Sequence, residues 1–138
     1  MNKISIKQAA IISIVVSVLM VLLHVLVIAR IVPFQWINGG MIATYGESLS
    51  NSITGIVLMV LFIFVYLMAG DWVLKGKARR VVRTLLWGMF GFWLLSVILQ
   101  LLGTPFEKAV LTILCLVNVF TTYRLIKGSR EQGVFSLN

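Results

Sequence analysis

The sequence predicts an all-α fold: a four-helix transmembrane bundle, both termini cytoplasmic, with an apolar interfacial outer loop between the first two helices. Three observations predict it. Of 138 residues, 60% are hydrophobic and 12% charged, with a mean hydropathy of +1.05. A soluble domain runs nearer roughly 45–50% apolar and 25% charged, so lipid is the solvent for most of this chain. The apolar residues collect into four runs, each near the roughly 20 residues that cross a hydrocarbon core. Finally, the 12 Lys and Arg residues cluster between the runs, mostly on one side. This composition excludes a soluble enzyme, a nucleic-acid module and a disordered tail, and it leaves a single integral membrane domain over 1–138.

The first run, 9–29, is interrupted only by Ser13, Ser17 and His24. Lys3 and Lys7 before it resemble the start of a signal peptide. The run nevertheless exceeds the usual h-region of about 7–15 residues, and no small-x-small cleavage site follows. The expectation is an uncleaved helix, ended by Pro33. The second and third runs span about 53–69 and 84–102. The fourth, about 106–125, opens with Thr104-Pro105-Phe106-Glu107, a capping box with proline at the first helical position. Gly103 suits a tight turn, which makes the last two helices an antiparallel hairpin. Trp36, Tyr45, Trp72, Trp87 and Tyr123 fall near run ends, where aromatic belts sit.

This parsing leaves an outer loop at 30–52, a basic cytoplasmic loop at 70–83 and a cytoplasmic tail at 126–138. Lys3 and Lys7, the group Lys75, Lys77, Arg79, Arg80 and Arg83, and Arg124, Lys127 and Arg130 share one side. Arg30 and Lys108 alone lie on the other. That asymmetry is the positive-inside signal. The polybasic loop is a topology determinant and, as the sharper reading, a binding site for anionic lipid headgroups at the cytoplasmic face.

Chemistry-bearing residues are few. Cys115 is the single cysteine, so an intramolecular disulfide and a CxxC redox pair are impossible. With one histidine and no cysteine cluster, neither a metal site nor a cofactor is expected. No carboxylate lies mid-run, which disfavours the proton-coupled mechanism of small four-helix multidrug exporters. Nucleophile-elbow, zincin and phosphate-loop patterns are absent from the sequence, so no catalytic residue is assigned and the chain reads as a non-enzyme.

What remains is polar residues on helical faces. Ser13, Ser17, Met20 and His24 share one face of the first run. Met89, Trp93, Ser96 and Gln100 share one face of the third, and Thr112, Cys115, Asn118 and Thr122 one face of the fourth. Intramembrane polar groups need interhelical partners, and a His24–Gln100 hydrogen bond fits the expected depths. Asn118 reads as interhelical glue. Gly88 and Gly91 permit close approach of another helix within the bundle. In the loop, Asn38-Gly39-Gly40 is a turn in which all three residues tolerate positive φ. The loop is either an interfacial connector or a lid over an outward-facing cavity. His24, Gln35, Trp36, Asn38 and Gln100 are the candidate ligand-binding residues.

The element Pro33-Phe34-Gln35-Trp36-Ile37-Asn38-Gly39-Gly40 after a histidine-bearing first helix, with Phe106-Glu107-Lys108 before the fourth, resembles small uncharacterised bacterial four-helix integral membrane proteins. The resemblance covers most of the chain and implies a bacterial inner (plasma) membrane location, with no catalytic activity. Where relatives carry an arginine after the paired glycines, this chain has Met41. The expected function is binding of a lipid-like or small apolar ligand, or of a membrane partner. The alternative is a small oligomeric transporter or channel. Expected partners are the bilayer and its anionic lipids, with a homo-oligomer or membrane partner also open, and no nucleic acid.

Overall fold

The computed structural model describes residues 4–74 and 79–135, and four long helices account for most of them. Helix α1 spans Ile6–Ile28. It starts on a capping box: the Ser5 hydroxyl accepts from the Gln8 amide at 3.1 Å, and the Gln8 side chain accepts from the Ser5 amide at 2.9 Å. Helix α2 spans Tyr45–Ala69 and begins on a second such box, Thr44 with Glu47. Helix α3 spans Arg79–Leu102. A π-helical turn, Glu107–Leu111, leads into α4, Thr112–Phe135. Each pass is long and apolar enough to cross a membrane.

The expected boundaries shift most in three places. Helix α2 begins at Tyr45 rather than near 53, because the Thr44–Glu47 box satisfies its first amides and because Ser48 and Ser52 are buried. Its first two turns are polar, so a hydropathy criterion assigns them to the loop. Helix α3 begins at Arg79 rather than 84, which places Arg79, Arg80 and Arg83 on its exposed first turns. Helix α4 continues to Phe135, so most of the segment expected as a tail is helical. Lys3, Lys75 and Lys77 lie outside the described residues.

The helices run up-down-up-down. In cross-section the order is α2, α1, α4, α3, and the ring closes where α2 meets α3. Burial follows from small residues and interhelical hydrogen bonds. Ala9, Ala10, Ser13 and Ser17 of α1 are buried, which lets backbones approach closely. The Ser13 and Thr121 hydroxyls lie 2.6 Å apart, joining α1 to α4. The Tyr66 hydroxyl is 2.9 Å from that of Thr122 and accepts the Trp93 indole N–H at 2.9 Å. One phenol thereby ties α2, α3 and α4 together.

The outward faces are apolar. Ile11, Val15, Val18 and Leu22 of α1, Val57, Val60 and Leu61 of α2, and Leu95, Ile98 and Leu99 of α3 are all exposed. An apolar outer surface around four spanning helices, over an apolar core that also buries serine and threonine hydroxyls, matches lipid as the solvent. This is a multi-pass membrane architecture. The stripe Thr112, Cys115, Asn118 and Thr122 is buried as the spacing predicts. Two expectations change. Gly88 and Gly91 are exposed with nothing near their Cα hydrogens, so they face away from the bundle. Asn118 is fully buried, yet neither amide atom has a hydrogen-bond partner among the described residues.

Candidate functional site

The segment between α1 and α2 covers 29–44, and specific contacts pin it. Asn38, Gly39 and Gly40 take φ of 57°, 68° and 67°. Three consecutive left-handed residues reverse the chain, which the glycines allow without steric cost. The reversal aims the Gly39 amide at Glu107, which it reaches at 2.9 Å (Oε1) and 3.1 Å (Oε2). Glu107 Oε2 also accepts the Thr104 amide at 2.7 Å, and Thr104 Oγ1 accepts the Glu107 amide at 3.3 Å. The predicted capping box is therefore present. Its carboxylate is shared with the loop, which leaves Glu107 only 2% exposed. The Thr104 hydroxyl donates to the Trp36 carbonyl at 2.6 Å. At the other end of the loop the Tyr45 hydroxyl donates to the Ile28 carbonyl, and the Arg30 guanidinium lies 4.0 Å over the Tyr45 ring.

Beneath this roof the bundle is open. Toward the basic end, Phe62 of α2 packs edge-on against Phe92 and Trp93 of α3, with ring centroids 5.2 and 5.7 Å away. Toward the loop end the two helices part around a cavity of about 980 Å³. Its rims are exposed residues of the two helices: Ser50, Asn51 and Thr54 on α2, Leu99 and Leu102 on α3. Met20 and Leu23 of α1 form the back wall, and Met59 and Phe92 the floor. Ile37, Asn38 and Gly39 form the roof. The loop is therefore a cover over a cavity as well as a connector.

Of the five candidates, His24, Asn38 and Gln100 line this cavity. Gln35 and Trp36 do not. Both are exposed on the short turn Phe34–Trp36, and only the following Ile37 is buried. The Trp36 ring packs on Phe106 instead, with centroids 5.6 Å apart. The turn at Asn38 carries the chain inward only after these residues have passed. The expected His24–Gln100 hydrogen bond does not form. His24 Nδ1 and Gln100 Oε1 are each buried without a partner among the described residues. The imidazole is held by close packing: a Cβ on Gly55 of α2 would fall 2.5 Å from Nε2, so glycine there is what admits the ring.

The sequence reading missed Glu47, Asn51, Thr54 and Gly55 as cavity residues. The spacing Thr44-x-x-Glu47 is a capping box legible in the sequence, and it would have turned the polar stretch after it into a helix face. Among the described residues, no three His, Cys, Asp or Glu side chains gather as metal ligands. Among the described residues, no Lys or Arg lines the cavity. Of the basic candidates, Arg79, Arg80 and Arg83 are exposed at the opposite end of the bundle. No family model, curated protein or solved structure matches this chain.

Proposed function

We propose that this protein is a non-enzymatic membrane protein that binds a lipid-like or small apolar ligand in the cleft between α2 and α3, beneath the pinned loop. The observation that carries the reading is the cavity of about 980 Å³, mostly apolar, with the polar side chains of Ser50, Asn51, Thr54 and Gln100 among its lining. Its size falls at the top of the roughly 300–1,000 Å³ range of small-molecule sites. The rest of the proposal is location. The basic end, with Arg79, Arg80 and Arg83, faces the cytoplasm and its anionic headgroups, and the membrane is bacterial.

An oligomeric transporter or channel calls for polar stripes meeting between subunits. Here Ser13, Ser17, Thr112, Asn118 and Thr122 are buried within one chain, which favours the binding reading. Native mass spectrometry from gentle detergent or nanodiscs tests it. The expected result is a monomer with a retained adduct that is lost on Gln100→Leu and on Thr54→Trp, which fills the mouth from an exposed rim position. A ligand-free oligomer that conducts solute across liposomes would replace this reading with the transport one. A bare monomer in every preparation would leave the cleft without a role.

A further inference from the structure

We infer that the cleft selects an amphiphile whose head donates hydrogen bonds and carries no negative charge, a hydroxyl or an ammonium on an apolar tail. The inference rests on the binding reading above. The cleft is polarised along the bundle axis. Its loop end holds Glu47, Ser50, Asn51, Gln100 and Glu107, whereas Met20, Leu58, Met59 and Phe92 lie deeper. A ligand therefore seats its head beneath the loop and its tail toward the mid-membrane, where the gap between α2 and α3 lets a chain enter from the side.

The head is constrained by what surrounds it. The cavity's charged residues are Glu47 and Glu107, and no Lys or Arg joins them among the described residues. Arg30 is engaged over Tyr45, and Lys108 is exposed outside the cavity. Glu47 is exposed and receives the Ala43 and Thr44 amides through Oε2 alone, at 3.2 and 3.3 Å, so its Oε1 stays open as an acceptor. An alcohol or ammonium head supplies a donor for that oxygen. A phosphate head would bring a further anion beside two carboxylates in a partly desolvated site, where like-charge repulsion is strong. This preference opposes the chain's net charge of +8, which draws phosphates toward the basic end instead.

The test uses the full-length protein in nanodiscs with three probes of one tail length: hexadecanol, hexadecylamine and hexadecyl phosphate. Binding is read by native mass spectrometry and by the shift in thermal unfolding. Thr54→Trp serves as the blocked-cleft control that subtracts phosphate bound at the basic end. The alcohol and the amine are expected to bind in a Thr54→Trp-sensitive manner, with the phosphate about tenfold weaker or worse. Glu47→Gln keeps the capping box, which accepts either residue, and removes one charge. It is expected to narrow the discrimination against phosphate, most visibly at low salt. Phosphate binding in the cleft as tight as the alcohol overturns the head-group inference and leaves the binding reading standing. If no probe shows Thr54→Trp-sensitive binding, both fall.

Discussion

Glu107 shows how one side chain does two jobs. As the third residue of a capping box it satisfies the Thr104 amide, and the same carboxylate takes the Gly39 amide from a loop far away in sequence. Hydrogen bonds to a charged acceptor contribute roughly 1.5–3 kcal/mol each, and stranding their donors adds to the loss. Glu107→Ala is expected to destabilise the fold by roughly 2–3 kcal/mol and to speed amide exchange at Gly39 and Gly40 selectively. Exchange at Gly39 no faster than in the parent would refute the pin. Glycines divide the same way. A Cβ on Gly55 meets the His24 ring, and one on Gly103 meets the Glu107 carboxylate, whereas Gly88 and Gly91 face open space. Gly55→Ala and Gly103→Ala are expected to lower the unfolding temperature. Gly88→Ala and Gly91→Ala should hold or raise stability, by up to roughly 1 kcal/mol each. A destabilising Gly91→Ala would mean that this face packs on something.

At the scale of elements, the association of these helices rests on small contacts rather than on a hydrophobic drive that lipid cannot supply. Tyr66 is the hub, meeting Trp93 of α3 and Thr122 of α4. Tyr66→Phe keeps the ring and removes both bonds. Interhelical hydrogen bonds in membranes contribute on the order of 0.6–2 kcal/mol, so a loss of about 1–2 kcal/mol in reversible detergent unfolding is expected. If Trp93→Phe in the Tyr66→Phe background costs as much as it does alone, the bond between them contributes nothing. The parting of α2 and α3 at the loop end has a matching cause. Aromatic rings fill the gap where Phe62 faces Phe92 and Trp93, and nearer the loop the facing residues are small or polar on α2.

For the whole molecule, the asymmetry between a basic end and a loop end where Arg30 and Lys108 balance Glu47 and Glu107 makes orientation testable. In a Cys115→Ser background, Met41→Cys at a highly exposed loop position (87%) is expected to react with a membrane-impermeant thiol reagent on intact cells. Arg79→Cys is expected to react only after lysis. The reverse pattern would invert the proposed topology.

Much of this was legible in the residues alone. Four apolar runs, the Thr104–Glu107 box, the left-handed turn at Asn38-Gly39-Gly40 and the inward faces of Ser13, Met89 and Thr112 follow from local chemistry: hydropathy, capping geometry, φ tolerance and helical period. These properties are carried by the residue and its near neighbours. The early start of α2 was also written locally, in Thr44 and Glu47, but its polar first turns hid it from a hydropathy reading. The tertiary structure alone decided the rest. It set Glu107 against Gly39, 68 residues apart, left His24 and Gln100 beside one cavity without joining them, turned Gln35 and Trp36 outward, and exposed Gly88 and Gly91. Each of these depends on how helices lean against one another, and that is settled by packing summed over the whole bundle. A periodic stripe says which face turns inward but not which partner it meets or where a gap remains.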